Sequence, residues 1–297
     1  MSALWKPEAV PEELVGLTRR LGDPAADLVV LAEGNTSTRL ADGTFAVKAS
    51  GARMDSAAAG DFVVVDPGEL LDAIRPRATD GHATGGRATA GARGGGRPTQ
   101  DELTDALAVR GPYEGPPGRA SVETLVHLAA LEYADATWVA HTHPTAVVGL
   151  LACPGAEELW SAPLFPDEAV VLGRPAWVPY AAPGLELGRA VAESLTRHRE
   201  TEGVPPRLVL LGNHGIVALG RTPAEVEAVT AMCVKAARIR SVALGAGGTA
   251  PLEAGHAAAL AGRGDERERW ARLGGAASGG SPSGVAGSGS SPSGSAR

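Results

Sequence analysis

The run Arg207-Leu-Val-Leu-Leu211, the segment Gly212-Asn-His-Gly215 and the run Ile216-Val-Ala-Leu219 follow one another without interruption. Two short apolar stretches joined by a Gly- and Asn-bearing turn read as a pair of adjacent antiparallel strands, which commits this part of the chain to a hairpin. Earlier segments have the same character: residues 28–32, 45–48 and 62–66 are short, apolar or alternating, and separated by Gly and Asp turns. Further strands are expected at 137–143, 169–172 and 177–180. Helical segments lie between them. Leu14, Leu17 and Leu21 form one stripe after Pro11-Glu-Glu13 and stop at Gly22. Thr99-Gln-Asp-Glu102 has the capping-box pattern for a helix over 100–109, and Thr222-Pro-Ala-Glu225 opens a longer one reaching about Leu244. Helices are also expected at 121–133, with Glu123 in the first turn, at 145–151 and at 185–198. Strands in hairpins with helices between them predict an α/β fold, a three-layer α/β/α sandwich with a mostly antiparallel central sheet.

Composition limits how much of the chain this fold includes. Of 297 residues, 40 are Gly and 22 Pro, and the excess is concentrated in two places. Residues 273–297 are almost wholly Gly, Ser, Ala and Pro, with little that can bury surface, so a disordered tail is expected there. Residues 75–98 contain GGRATAGARGGGRP; Arg75, Arg77, Arg87, Arg93 and Arg97 stand against one acid, Asp80, and apolar periodicity is lost. That stretch reads as a flexible, solvated insert in a single domain spanning 1–272. The net charge of −7 argues against a nucleic-acid partner. Two cysteines, Cys153 and Cys233, are too few for a disulfide framework or a thiolate zinc site and fit a reducing compartment. The first residues carry Lys6, Glu8, Glu12 and Glu13 without an apolar core, and no later stretch approaches a membrane span. The expectation is a soluble, cytoplasmic protein with no membrane partner.

Three of the seven histidines, His141, His143 and His214, stand where side chains can converge. Residues two apart on a strand face the same way, so His141 and His143 present two imidazoles side by side. His214, in the hairpin turn, closes the set if the strand ending at His143 lies near that hairpin. Three imidazoles with an open position are what a catalytic zinc or similar divalent ion requires, although His-x-His pairs also occur on exposed strands without a metal. His127 reads as a partly buried packing residue of its helix, and His82, His198 and His256 carry no evident role.

Five short stretches in order, Gly34-Asn-Thr-Ser37, Lys48-Ala-Ser-Gly51, Ser121-Val-Glu123, His141-Thr-His143 and Asn213-His-Gly215, resemble the class II aldolase/adducin family over about residues 11–244. The resemblance implies a divalent-metal-dependent aldehyde-lyase that breaks or forms a carbon–carbon bond of a ketose or ketose phosphate through a metal-stabilised enediolate. His141, His143 and His214 match the histidines that hold the metal, Zn2+ or another divalent ion such as Mn2+. Glu123 matches the acidic residue that moves protons beside it. Asn35 and Thr36, Ser50 and Gly51, and Ser121 match the loops that hold the substrate phosphate. The second serine of that cup is Val122 here, which leaves an unphosphorylated or differently shaped anion open. Glu123 would move protons best if the apolar helix behind it raised its pKa toward neutrality. The family also implies a homotetramer, with sugar-phosphate epimerases, dehydratases and non-enzymatic adducin-like modules as its other members.

Overall fold

A computed structural model describes residues 3–76, 99–110 and 118–261, with isolated residues from 263 to 272. The strands are β1 (Ala3–Leu4), β2 (Asn35–Arg39), β3 (Phe45–Lys48), β4 (Phe62–Val65), β5 (Trp138–Thr142), β6 (Ala176–Val178), β7 (Leu208–Leu211) and β8 (Gly215–Gly220). The α-helices are α1 (Glu12–Leu21), α2 (Gly68–Ile74), α3 (Gln100–Ala106), α4 (Thr124–Tyr133), α5 (Thr145–Leu151), α6 (Ala156–Leu159), α7 (Pro166–Val171), α8 (Leu185–Glu202), α9 (Pro223–Gly245) and α10 (Ala254–Ala261). The eight strands form one sheet in the order β1-β4-β3-β2-β5-β8-β7-β6. Every pairing is antiparallel except β6 with β7.

Side-chain alternation divides this sheet into two faces. Val47, Val139, Val209, Leu211, Val217 and Leu219 point one way and pack with residues of α2, α3, α4 and α8. Ala140, Leu208, Leu210, Ile216 and Ala218 point the other way and pack with α1, α5 and α9. The result is the expected α/β/α sandwich. Helix α4 shows why the layers are thick. Its residues from Thr124 to Leu131 are all buried between the sheet and α8, and it reaches solvent at its last turn, where Glu132 is exposed.

Local chemistry accounts for several element ends. In α3 the Thr99 hydroxyl accepts from the Glu102 N–H and the Glu102 carboxylate accepts from the Thr99 N–H. In α9 the Thr222 hydroxyl accepts from the Glu225 N–H, and Pro223 supplies the fixed φ of a first helical residue. The turn between β7 and β8 is tied down by Gly212 N–H to Val178 O (2.9 Å) and Asn213 N–H to Leu151 O (3.2 Å), with Asn213 in the left-handed region (φ 54°).

Three expectations are corrected. Residues 28–32 are not a strand: Leu31 takes φ 54°, and Val30 and Leu31 are 63% and 79% exposed, so these apolar side chains enter no core. The strand at this point is β2, whose Asn-Thr-Ser-Thr-Arg sequence has no apolar alternation. Residues 169–172 belong mostly to helix α7, which Pro166, Asp167 and Glu168 open with the favoured first-turn chemistry. Finally, α4 begins at Thr124, so Glu123 occupies the N-cap position rather than the first turn. The Arg-rich insert, apart from Arg75 and Pro76, and the Gly/Ser tail fall outside the described residues. Among the described residues, no helix is long and apolar enough to cross a membrane.

Candidate metal centre

The register of the central strands builds the site. In the antiparallel β5–β8 pair His141 faces Val217 and Thr142 faces Ile216, so the end of β5 lies beside the start of β8 and the turn that carries His214. On the other side of β5, His141 faces Asn35 of β2. His143 leaves the ladder, its N–H donating to Leu28 O at 2.8 Å, but keeps the side-chain parity of His141. The N-cap of α4 brings Glu123 over the same face. Ligand atoms of Glu123, His141, His143 and His214 all lie within 4.8 Å of one another.

The three imidazole centroids are 4.6, 4.9 and 4.9 Å apart. Nε2 of His141 is 2.8 Å from Nε2 of His143. Oε1 of Glu123 is 3.3 Å from Nε2 of His141 and 3.1 Å from Nε2 of His214. The outer nitrogens explain this orientation. Nδ1–H of His141 donates to Ile216 O (2.9 Å), and Nδ1 of His143 lies 3.1 Å from Oε2 of Glu33. With Nδ1 protonated on both rings, their Nε2 lone pairs point at one spot. Two bare acceptors 2.8 Å apart repel unless a proton or a cation stands between them. Three imidazoles and a carboxylate form the donor set of a divalent transition ion, and the residues present fit one. His214 Nδ1 is buried and has no hydrogen-bond partner among the described residues.

Burial and charge oppose each other at Glu123. Burial alone pushes the Glu123 carboxyl up, but the charge and hydrogen bonds of His141 and His214 outweigh it and hold Glu123 below the ordinary carboxylate range. The apolar helix therefore does not bring it toward neutrality. Burial likewise opposes charge on His141, where the Glu123 carboxylate prevails and raises the pKa. His143 is pushed down to about 4, first by burial and then by His141 and His214.

The anion-loop residues divide. Ser50 N–H donates to Arg119 O (3.1 Å), and Ala49 bridges Ala120, so the Ser50-Gly51 turn lies against the segment that carries Ser121. Gly51 is exposed and has φ 80°, a conformation that favours glycine. Ser121 Oγ accepts from Asn35 Nδ2 (3.2 Å) and Glu123 N (3.3 Å). Asn35 is 2% exposed, with its Nδ2 also donating to Glu123 Oε2 at 3.0 Å. Thr36 does not join this group. Alternation turns it to the opposite face, where it is fully buried and its hydroxyl meets that of Thr18 in α1 at 2.5 Å.

Three nearby residues escaped the sequence reading. Glu33 precedes the Gly34-Asn35 pair and touches His143. Lys48 is buried, its Nζ donating to Ala52 O at 2.6 Å; burial lowers its pKa to about 8 against the opposing charges of Glu123 and Asp61. His127, expected as a partly buried packing residue, is fully buried and hydrogen-bonded, with Ser37 on Nδ1 and Asn35 on Nε2. One signal was available, since His127 follows Glu123 by four positions and so shares its helix face. His198, to which the sequence assigns no role, is buried in α8.

The family described as the class II aldolase and adducin N-terminal domain matches residues 12–241. The chain belongs to the class II aldolase/adducin family. Its fold is similar to that of YgbL from Escherichia coli (TM-score 0.57, 20% identity, covering 84% of this chain and 96% of that one). It is similar to an L-fuculose 1-phosphate aldolase at TM-score 0.57 and 19% identity (84% and 93% covered). A third similar fold is the L-fuculose-1-phosphate aldolase of Thermus thermophilus, at TM-score 0.51 and 21% identity (80% and 98%). In sequence, 104 residues are 34% identical to the uncharacterized oxidoreductase YuxG of Bacillus subtilis (strain 168), 35% of this chain and 13% of that protein. This chain therefore spans a small part of that relative.

Proposed function

We propose that this protein is a divalent-metal-dependent aldolase that cleaves or forms a carbon–carbon bond in a ketose or ketose phosphate. The observation that carries the reading is the convergence of three imidazole Nε2 atoms and one Glu123 oxygen at the end of β5. His141, His143 and His214 would hold the cation, Zn2+ or Mn2+. Such an ion supplies Lewis-acid polarisation of adjacent carbonyl and hydroxyl oxygens, an electron sink that side chains lack. The rest falls to the chain. Oε1 of Glu123 takes the proton from the substrate and returns it. Ser50, Gly51 and Ser121 border a polar cup for the substrate's anionic end, with Val122 reducing its hydroxyl count. Asn35 acts from beneath this cup, through Glu123. We place the protein in the carbohydrate metabolism of the cytoplasm, working as a homotetramer on a small sugar or sugar phosphate. Retention of the complete histidine set favours an enzyme over an adducin-like interaction module.

The test is aldehyde release from a panel of ketose 1-phosphates and free ketoses, with Zn2+ or Mn2+ present and a coupled reductase as readout. Release by the wild type that disappears in Glu123→Gln, while metal is retained, supports the lyase. His141→Ala and His214→Ala should each abolish turnover through loss of metal. A product with unchanged carbon count would reassign the chemistry to an epimerase, and loss of water to a dehydratase. Purified protein holding no stoichiometric divalent metal would sink every metal-dependent reading.

A further inference from the structure

A line of four side chains runs from the sheet into the candidate metal centre, and three of them are sealed from solvent: Ser37 and His127 at 0% exposure and Asn35 at 2%. Ser37 Oγ is 2.7 Å from His127 Nδ1, His127 Nε2 contacts Asn35 Oδ1, and Asn35 Nδ2 reaches Glu123 Oε2 at 3.0 Å. We infer that His127 is a positioning residue that orients the Asn35 amide so that Asn35 holds the Glu123 carboxylate.

The directions of the bonds follow from donor and acceptor capacity. An ionised carboxylate only accepts, so Asn35 must turn its NH2 to Glu123. That leaves the Asn35 carbonyl facing His127, which must donate from Nε2–H. The imidazole is neutral, because complete burial presses its pKa down to about 3. Its Nδ1 is then a bare acceptor, and the Ser37 hydroxyl donates to it. Every proton has one place.

Without His127 the Asn35 carbonyl loses its donor, and only Glu123 and Ser121 then oppose the flipped orientation. The flipped one points a carbonyl at a carboxylate and repels it. With His127 in place, Oε2 of Glu123 is tied to Asn35 while Oε1 remains among the histidines, 3.3 and 3.1 Å from Nε2 of His141 and His214. Glu123 and His127 lie one turn apart at the start of α4, and Asn35 spans that turn from the adjacent strand β2. The arrangement deepens the lyase reading, and rests on it for what Glu123 does, but the hydrogen-bond line has tests of its own.

The first test is the imidazole 15N spectrum of the full-length wild type, where His127 should be neutral with its proton on Nε2; a proton on Nδ1, or an imidazolium, overturns the inference. The second compares His127→Leu with His127→Gln, whose amide can donate to Asn35 in place of Nε2–H. His127→Leu should weaken Zn2+ affinity about tenfold in chelator competition, alter the visible absorption of the Co2+-loaded protein, and lower kcat about tenfold with little change in KM. His127→Gln should recover all three. A His127→Leu protein with wild-type affinity and spectrum, or a His127→Gln protein as impaired as His127→Leu, overturns the inference. If the wild type releases no aldehyde, the lyase reading fails, and the tautomer and the Co2+ spectrum still decide the role of His127. If His127→Leu does not fold, the tautomer and His127→Gln decide it.

Discussion

Asn35 and His141 are register partners across the β2–β5 ladder. One strand alignment thus sets both the amide that holds Glu123 and a ring of the histidine cluster. A slip of one residue in β2 would replace Asn35 with Thr36, whose side chain lies on the other face, so the site and the sheet share a single geometric condition.

Glu33 is expected to govern how firmly a metal is held. Its Oε2 meets His143 Nδ1 at 3.1 Å and its Oε1 accepts from Val30 N–H at 2.7 Å, which pins the loop that precedes β2 over the site. Glu33→Ala should weaken Zn2+ affinity by roughly 10- to 100-fold, and Glu33→Gln by less. Chelator competition measures it, and equal affinity in all three proteins would remove Glu33 from the site.

Gly215 leaves no room for a side chain. A Cβ there would lie 2.5 Å from Thr142 O and 2.6 Å from His143 Cδ2, so the β5–β8 pair must separate to admit one. Gly215→Ala should cost about 1–3 kcal/mol in urea unfolding. It should also reduce the gain in Tm on adding Zn2+, because His143 and His214 flank the displaced backbone. A variant with wild-type stability and metal response would show that the backbone yields freely.

Lys48 makes stability depend on pH in a definite direction. Its pKa falls from 10.5 to about 8 on folding, so between these values the unfolded chain binds more protons and stability from this group rises with pH. The full effect is up to about 3 kcal/mol. Lys48→Met removes it, so wild type should gain on the variant between pH 8 and pH 10 in matched urea titrations. A constant difference between the two proteins would mean that Lys48 keeps its ordinary pKa.

Arg240 and Glu168 form a buried ion pair at 2.5 Å, 0% and 4% exposed, which ties α9 to α7. The guanidinium also donates to Leu159 O and Ala162 O, both at 3.1 Å, and sits 4.2 Å over the Trp160 ring. Arg240→Met should cost about 3–5 kcal/mol, since it leaves a carboxylate buried without its partner. Arg240→Met combined with Glu168→Leu should lose at least about 1 kcal/mol less than the sum of the single changes. Strict additivity would show that the two side chains act independently.

Much of the architecture could be read from local chemistry alone. The stripe of Leu14, Leu17 and Leu21, the Thr99 capping box and the Thr222-Pro223 start each encode their own helix, because periodicity and capping are decided within a few residues. Strand parity likewise places His141 and His143 on one face. What sequence determined by itself is therefore the set of elements with local signals, and the residue types able to bind a metal. Only the tertiary structure decided the rest. Strand β2 carries no apolar pattern because its polar side chains are satisfied from distant segments, by Thr18, His127 and the Thr137 carbonyl. Val30 and Leu31 look like a strand and are exposed on a loop. Whether Asn35 faces a substrate or holds Glu123, and whether His127 packs or orients, depends on which strand lies beside which helix. Those partners are 86 to 92 positions apart in the chain, and no local pattern encodes a hydrogen bond that exists only once the sheet has chosen its register.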